Sequence, residues 1–338
     1  MEQAKWMVVI LAALAVAGCT KKEAPAPAAE EKAAAEPEKP AAPTEPILPL
    51  PDSADVDMDK VLLGRSLYFD TALSGDGTVS CATCHMLEHG GAEPRKTSTG
   101  IGGQIGPINS PTVLNSSYNF VQFWDGRAKD LQEQAAGPVE NPSEMGSKWD
   151  DVVKRLAKNE KYAATFGKLY EDGITKANTT DAIAEYEKSL ITPSRFDAYL
   201  KGDDSAITDA EKKGYATFKE VGCTACHSGI NVGGAMFQKM GLVKDYFADR
   251  GTPITDADLG RYNVTKQDYD KYFFKVPTLR NVELTSPYLH DGSQATLEDT
   301  VRVMGTYQLG RELSDAQVNS IVTFLKSLTG ELPAHAKL

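Results

Sequence analysis

Two copies of the pattern Cys-x-x-Cys-His constrain this chain more than any other feature of its sequence. Two thiols at this spacing add to the vinyl groups of one haem, and the adjacent histidine is placed to bind the iron. The alternatives are a zinc site or a redox dithiol, but further zinc ligands at matching spacing are not visible. The sequence therefore predicts two covalent haem c groups with His85 and His227 as proximal ligands. The attachment residues are Cys81, Cys84, Cys223 and Cys226.

The first residues have the pattern of an export signal. Lys5 precedes an apolar run at residues 7–17, which is too short to span a bilayer comfortably. Small residues then precede Cys19, as at a bacterial lipoprotein cleavage site. Residues 1–19 are therefore predicted to be a lipoprotein-type signal peptide, with Cys19 lipidated, the protein in the periplasm and that lipid anchor as its only attachment to the membrane. The alternatives are an ordinary signal peptide that contains a cysteine, or an uncleaved anchor.

Residues 20–46 consist almost entirely of Ala, Pro, Glu and Lys. This composition cannot bury a core, so it predicts a disordered linker between the anchor and the folded part. The whole chain carries a formal net charge of −11. That charge argues against nucleic acid and anionic membrane surfaces as partners, and it favours a small basic electron donor.

Helical signals surround both haem motifs. Residues 59–69 have helical periodicity before the first motif. Capping boxes begin at Thr208, before the second motif, and at Ser314, near the end of the chain. This is a cytochrome c layout. We therefore expect a mainly α fold with little β-structure, made of two cytochrome c-like haem domains in tandem at residues 47–200 and 201–338.

An internal repeat supports two copies of one haem module. The sequence Pro-Thr-Val-Leu-Asn at residues 111–115 resembles Pro-Thr-Leu-Arg-Asn at residues 277–281, and an Asp-Gly pair follows each at the same distance. The second copy holds extra sequence between Ser228 and Val276.

The second axial ligand of each iron decides function, because an open face can bind peroxide whereas a filled face favours electron transfer. In module two, Met304 shortly precedes the terminal helix and suits an axial methionine, with Met236 and Met240 as rivals. Module one has no comparable candidate, since His89 is only four residues from His85 and should lie on the same face. The first haem is therefore predicted to be five-coordinate or water-bound.

These motifs resemble the bacterial di-haem cytochrome c peroxidase family over roughly residues 48–328. The resemblance implies an N-terminal haem of low potential that reduces hydrogen peroxide. It also implies a C-terminal His/Met haem that receives electrons from a small cytochrome c or a cupredoxin. Family members are commonly homodimers, so a homodimer is an expectation. The matching segments, beside the two haem motifs, are residues 111–115, 123–127, 133–135, 141–146 and 287–292.

The resemblance also implies roles for individual residues. Trp124 would lie between the haems in the electron path. Glu144 would be the distal acid and base that moves a proton between the peroxide oxygens, and Gln134 would help to position peroxide. Asn109, together with backbone oxygens of Thr285 and Pro287, would bind a calcium ion between the domains.

One position departs from the family pattern. Many members carry a displaceable distal histidine in the glycine-rich loop after the first haem motif, and here the expected position holds Ile101. We therefore expect the first haem to be accessible in the fully oxidised protein. Two other functions stay open: an electron carrier without peroxide chemistry, and a related di-haem oxidase. Relatives of the oxidase kind tend to carry tyrosine where Met304 stands.

Overall fold

The computed structural model describes residues 45–337. The predicted signal peptide with Cys19, and the predicted linker up to residue 44, lie outside the described residues. No helix within residues 45–337 is both long and apolar enough to cross a membrane.

Short helices dominate the described chain, which confirms the predicted mainly α class with little β-structure. The two strands pair antiparallel, β1 (Phe237–Lys239) with β2 (Phe273–Lys275). The helices are α1 (Met58–Tyr68), α2 (Cys81–Cys84), α3 (Leu131–Glu140), α4 (Trp149–Ala157), α5 (Glu160–Leu169), α6 (Lys176–Ser189), α7 (Arg195–Leu200), α8 (Asp209–Val221), α9 (Tyr246–Arg250), α10 (Tyr262–Thr265), α11 (Leu297–Val303) and α12 (Asp315–Lys326).

Side-chain caps begin the helices that lead into the haem motifs. The Asp57 carboxylate accepts hydrogen bonds from the first backbone N–H groups of α1. Thr208 and Glu211 form the predicted capping box of α8, and Ser314 with Gln317 forms that of α12. Each cap satisfies backbone donors that a helix cannot pair internally, so these helix starts follow directly from the sequence.

Both modules bring the helix before the haem motif close to another helix through a glycine. In module one, a Cβ added at Gly64 of α1 would lie 1.8 Å from the carbonyl oxygen of Ala182 in α6. In module two, a Cβ at Gly214 of α8 would lie 2.2 Å from the carbonyl oxygen of Ser320 in α12. Any larger residue at either position would force the helices apart.

Each module has its own apolar core. The first is built on α1, α3, α4, α5 and α6, with Leu67 and Phe166 fully buried. The second is built on α8, α11 and α12, with Phe218 and Phe324 buried at its centre. Ile47, near the start of the described chain, packs into the second core.

The sequence repeat is also a structural repeat. Asn115 and Asn281 both adopt the left-handed conformation, with φ of 58° and 59°. Their side-chain amides donate to the same acceptor, the Thr192 hydroxyl, at 2.8 and 2.7 Å. Thr192 lies in the connection between α6 and α7, so one buried hydroxyl fixes the same turn of both modules.

Two backbone hydrogen bonds join the modules, and they involve equivalent residues. Residues of the two modules are called equivalent when they align with the repeated segments placed in register. The N–H of Asn109 donates to the carbonyl of His290 at 2.7 Å, and the N–H of Lys275 donates to the carbonyl of Trp124 at 2.8 Å. Asn109 is equivalent to Lys275 in this register, and Trp124 is equivalent to His290. This reciprocal pair of bonds fixes the residues that lie between the two haem motifs.

Candidate haem sites

The histidine of each haem motif is buried and held in one orientation. Nδ1 of His85 lies 3.1 Å from the carbonyl oxygen of Pro111, and Nδ1 of His227 lies 3.3 Å from that of Val232. Burial lowers the pKa of both imidazoles, to about 4 for His227. A neutral ring that donates from Nδ1 keeps the Nε2 lone pair free for a metal.

The four motif cysteines form no disulfide with one another. Burial raises the pKa of Cys81 and Cys223 to about 12 and that of Cys84 to about 11. Such thiols are protonated at neutral pH. Within residues 45–337, the cluster of side chains close enough to share a metal ion contains no cysteine. The zinc alternative therefore has no ligand set in this part of the chain.

Module two encloses a cavity of about 230 Å³. Its walls are mostly apolar, and Cys223, Cys226 and His227 all line it. Met304 and Met240 line it too, whereas Met236 does not and is 36% exposed. Thiols, a neutral imidazole and a thioether around one apolar cavity fit a haem. Because both Met304 and Met240 line this cavity, Met304 as the axial ligand stays a prediction.

Met304 occupies a specific backbone feature. Helix α11 ends at Val303, and Met304–Gln308 form a π-helical turn. The Gln308 side chain holds this turn against the chain after β1, because its amide nitrogen donates to the Lys239 carbonyl and its oxygen accepts from the Gly241 N–H. Single π-turns of this kind are frequent at functional sites.

Glu144 lies in module one, close enough to Cys84 for its charge to act on that thiol. Its carboxylate accepts a hydrogen bond from the Asn141 amide at 2.7 Å. Partial burial raises the pKa of Glu144, and the Arg127 charge and the Asn141 hydrogen bond oppose that rise. A carboxyl with a raised pKa beside the haem motif is suited to exchanging protons with a bound ligand.

The glycine-rich loop that carries Ile101 is fastened to the Glu144 segment. The N–H of Ile101 donates to the Glu144 carbonyl at 2.9 Å. A Cβ at Gly100 would lie 2.0 Å from the Ser143 carbonyl, so only glycine permits this approach. The Ile101 side chain packs against Gly146 and the first core. At the position where many family members carry a histidine, this loop therefore carries an aliphatic side chain that cannot bind iron.

Arg127 is a site residue to which sequence reasoning assigned no role. Its guanidinium bonds the Asp125 carboxylate at 3.0 Å and lies 3.4 Å from the centre of the Phe123 ring. Its charge also opposes the rise that burial causes in the pKa of Glu144. The internal repeat could have pointed to Arg127, because the equivalent residue of module two is the uncharged Ser293.

Trp124 lies between the modules. Its indole N–H donates to the Asn109 carbonyl at 2.9 Å, and its ring meets those of Phe274 and His290 edge-on. Trp124 lines the cavity that His227 and Met304 also line. Glu144 and Gln134 do not line that cavity. Gln134 is half-buried on α3, and its side chain makes no hydrogen bond to another described residue.

The three predicted calcium ligands contribute to the lining of the same cavity. Asn109, Thr285 and Pro287 all line the module-two cavity. The Asn109 amide nitrogen donates to the carbonyls of Arg95 and Lys96, at 3.0 and 3.2 Å, which leaves the side-chain oxygen free to act as a ligand. Amide and carbonyl oxygens are ligands that suit a hard cation, and the calcium site itself stays a prediction.

A second polar cluster adjoins Trp124 and was missed from the sequence. Nε2 of His290 lies 2.8 Å from the Asp258 carboxylate, and Arg250 bonds both Asp258 and Asp291. Burial alone would raise the pKa of Asp258, but hydrogen bonds from Arg250 and His290 hold it well below its usual range. The guanidinium already supplies the cation of this cluster, which is therefore a structural ion-pair network.

The fold and these two sites define a protein built from two cytochrome c-like haem modules. A family model described as di-haem cytochrome c peroxidase matches residues 58–205. The cytochrome c551 peroxidase of Nitrosomonas europaea is 48% identical over 291 residues, which cover 86% of this chain and 85% of that protein. The chain belongs to the di-haem cytochrome c peroxidase family, which confirms the resemblance seen in its motifs and the enzyme class that follows from it.

Two further relatives agree with this assignment. The cytochrome c peroxidase of Escherichia coli is 52% identical over 289 residues, which cover 85% of this chain and 61% of that longer protein. The crystal structure of a MauG-like protein associated with microbial copper homeostasis superposes with a TM-score of 0.75 at 25% identity, over 88% of this chain and 98% of that one. The same architecture therefore extends through both modules.

Proposed function

We propose that this protein reduces hydrogen peroxide to two waters at the haem of module one, using two protons and two electrons, the electrons entering at the haem of module two. The observation that carries the proposal is the difference between the two sites. Module one sets a proton-exchanging carboxyl, Glu144, beside its haem motif and an aliphatic residue, Ile101, on the adjoining loop. Module two lines its cavity with methionines.

When bound through the motif cysteines, each haem supplies the redox-active iron. The protein supplies the proton handling. Glu144 takes a proton from one peroxide oxygen and returns it to the other, so that water rather than hydroxide departs. Burial raises the pKa of this carboxyl, and the Arg127 charge opposes that rise and so favours the ionised form. Gln134, whose side chain has no other hydrogen bond among the described residues, positions the peroxide.

Electrons reach module one through the contact between the modules. Trp124 is supported in this role by its hydrogen bond to Asn109 and by its place on the wall of the module-two cavity. A small periplasmic cytochrome c or cupredoxin is the donor. The net charge of −11 favours a donor with a basic docking face.

The site works without prior reduction. In relatives that carry a distal histidine, that ligand must leave before peroxide can bind. Here the loop residue is Ile101, which packs on Gly146 and cannot bind iron. The hydrogen bond from the Ile101 N–H to the Glu144 carbonyl fastens the loop to the backbone of the acid–base residue in the absence of any reduction step.

Further parts of the proposal concern the surroundings of the enzyme. Cys19 is lipidated and holds the protein in the periplasm, and mass spectrometry of the membrane fraction tests this. Asn109, Thr285 and Pro287 bind calcium, which metal analysis before and after treatment with a chelator tests. A homodimer is tested by light scattering on the haem-loaded protein.

The deciding experiment is electron paramagnetic resonance of the as-isolated protein, repeated after one-electron reduction, beside a turnover assay with a reduced small cytochrome c. High-spin ferric haem in the oxidised sample, together with peroxide turnover that needs no pre-reduction, supports the proposal. A first haem that becomes high-spin only after half-reduction overturns the ungated site. Low-spin haem in both samples without turnover makes the protein an electron carrier.

A further inference from the structure

Lys275 is a buried lysine that has no charged partner among the described residues. It lies at the end of β2 and is 5% exposed. Its backbone N–H donates to the Trp124 carbonyl, which fixes the residue beside the proposed electron path. Its ammonium group forms no hydrogen bond or ion pair with any other residue between 45 and 337. Isolated buried charge is costly, so proteins rarely keep it without a partner.

The position of Lys275 indicates where a partner would lie. Lys275 lines the same cavity as Cys223, His227 and Met304. Among the described residues that line this cavity, Lys275 is the one lysine or arginine, and there is no aspartate or glutamate. Burial lowers the pKa of Lys275 to about 8, as expected for an ammonium group without a nearby carboxylate.

The internal repeat shows that this lysine is a particular feature of module two. The equivalent residue of module one is Asn109, which is uncharged and satisfies its amide nitrogen on two backbone carbonyls. Both residues donate a backbone hydrogen bond to the other module. The shared turn therefore does not require a lysine, and the charge must serve something specific to the second cavity.

We infer that Lys275 binds a carboxylate of the haem in module two, orienting the haem edge toward Trp124 and raising the reduction potential of that haem. A haem carries two carboxylate side chains, and it is the anionic group that the proposed attachment at Cys223 and Cys226 brings into this cavity. An ammonium ion beside a haem carboxylate cancels negative charge near the iron, which favours the reduced form. The inference rests on the proposed haem attachment.

The test uses the haem-loaded full-length protein and measures the midpoint potential of each haem by spectroelectrochemical titration. Lys275→Met should shift the potential of the C-terminal haem to a lower value, while Lys275→Arg should stay near the wild type. Lys271→Met is the matched control, since it removes the same charge from a side chain that pairs with Asp268 and does not line the cavity. Equal potentials in Lys275→Met and Lys271→Met would overturn the inference.

A crystal structure of the haem-loaded wild type decides the question even if Lys275→Met does not mature. A Lys275 Nζ within about 4 Å of a haem carboxylate oxygen supports the inference, and a longer separation overturns it. The absorption spectrum of the denatured protein in alkaline pyridine separately counts the attached haems. A missing second haem would contradict the proposed function, whereas two haems with Lys275 turned away would contradict this inference alone.

Discussion

The two haem modules share a framework and differ in what that framework presents to its haem. In both, an asparagine in the left-handed conformation donates to Thr192, and the motif histidine has Nδ1 beside a backbone carbonyl. One difference lies on α3 and α11, which start at the equivalent residues Leu131 and Leu297. In the same register of the repeat, Pro138 of module one is the counterpart of Met304. A proline side chain has no atom that can bind iron, whereas a thioether can.

This comparison shows how one fold supports two chemistries. Both modules repeat the asparagine turn and the close glycine contact between helices, whereas several residues on α3 and α11 and in the loops on either side of these helices differ between the modules. Module one adds Arg127 and Glu144, and module two has Ser293 in place of the arginine. The repeated part provides a haem cradle, and the unrepeated part decides whether that haem meets a substrate or only exchanges electrons.

Removing the acid–base group of module one should have the largest effect. Glu144→Gln should lower peroxide turnover by about 10² to 10⁴-fold, the usual contribution of a general acid–base residue. Reduction of the C-terminal haem should not change. The control is Glu140→Gln, on an exposed side chain that pairs with Lys176. Turnover within twofold of the control would refute the role of Glu144.

The pH dependence tests the same residue. Because the pKa of Glu144 is raised, the carboxyl protonates at a higher pH than an ordinary glutamate. It must be ionised to accept a proton, so wild-type turnover should fall as the pH falls through this raised pKa. The acid limb should be absent from the profile of Glu144→Gln. If turnover of Glu144→Gln also falls at the same acid pH as that of the wild type, the fall is due to the titration of another group.

A methionine in place of Pro138 should make module one resemble module two. Pro138→Met is expected to supply an axial ligand to the first haem, so its electron paramagnetic resonance signal should change from high-spin to low-spin and peroxide turnover should fall at least about tenfold. The control is Gly137→Met, one position away on an exposed part of the same helix. A high-spin signal in Pro138→Met would show that residue 138 of module one does not face its haem in the way proposed for Met304 of module two.

A histidine at residue 101 should give module one a gate. Ile101→His is expected to yield a low-spin first haem in the oxidised protein and a lag in turnover that pre-reduction removes. Its control is Ile105→His, on a side chain of the same loop that is 69% exposed. The same spectrum in both variants would mean that the fastened loop keeps residue 101 away from the haem.

The last difference between the modules should affect the stability of the fold and have the smallest effect on catalysis. Arg280 is fully buried, and its two nitrogens pair with Asp197 at 2.9 Å each, whereas the equivalent residue of module one is Leu114. Arg280→Leu should lower the free energy of unfolding by about 3–5 kcal/mol, since it leaves a buried carboxylate without its partner. Chemical denaturation measures this, and turnover of the folded fraction should be unchanged.

The double variant and the pH profile refine that prediction. Arg280→Leu with Asp197→Asn should recover much of the lost stability, because no charge is left buried. Burial alone would raise the pKa of Asp197, but Arg280 holds it below its usual range. The pair therefore contributes stability above the pKa of an unfolded aspartate, and this contribution is lost as the pH falls through the folded pKa. A double variant no more stable than Arg280→Leu would show that the arginine stabilises by packing.

The haem motifs, the helix starts and the repeat were predictable because their causes are local. Cys-x-x-Cys-His needs only adjacent residues, and a capping box such as Thr208 with Glu211 acts within one turn. The turns at residues 111–115 and 277–281 could be recognised as copies of each other because each contains its own threonine and asparagine at the same spacing. Glu144 was found through the motif around it, since its chemistry alone does not distinguish it from other glutamates.

Only the tertiary structure decided which distant residues meet. Arg127, in the loop before α3, acts on Glu144, in the loop after α3, and a sequence pattern cannot measure the distance between them. Met240 and Met304 line one cavity, although they belong to segments far apart along the chain. The burial of Lys275 also depends on the packing of β2 against the rest of the fold. Burial, charge interaction and cavity shape depend on contacts between segments far apart in the sequence. Haem attachment and helix capping depend on residues that are neighbours in the sequence.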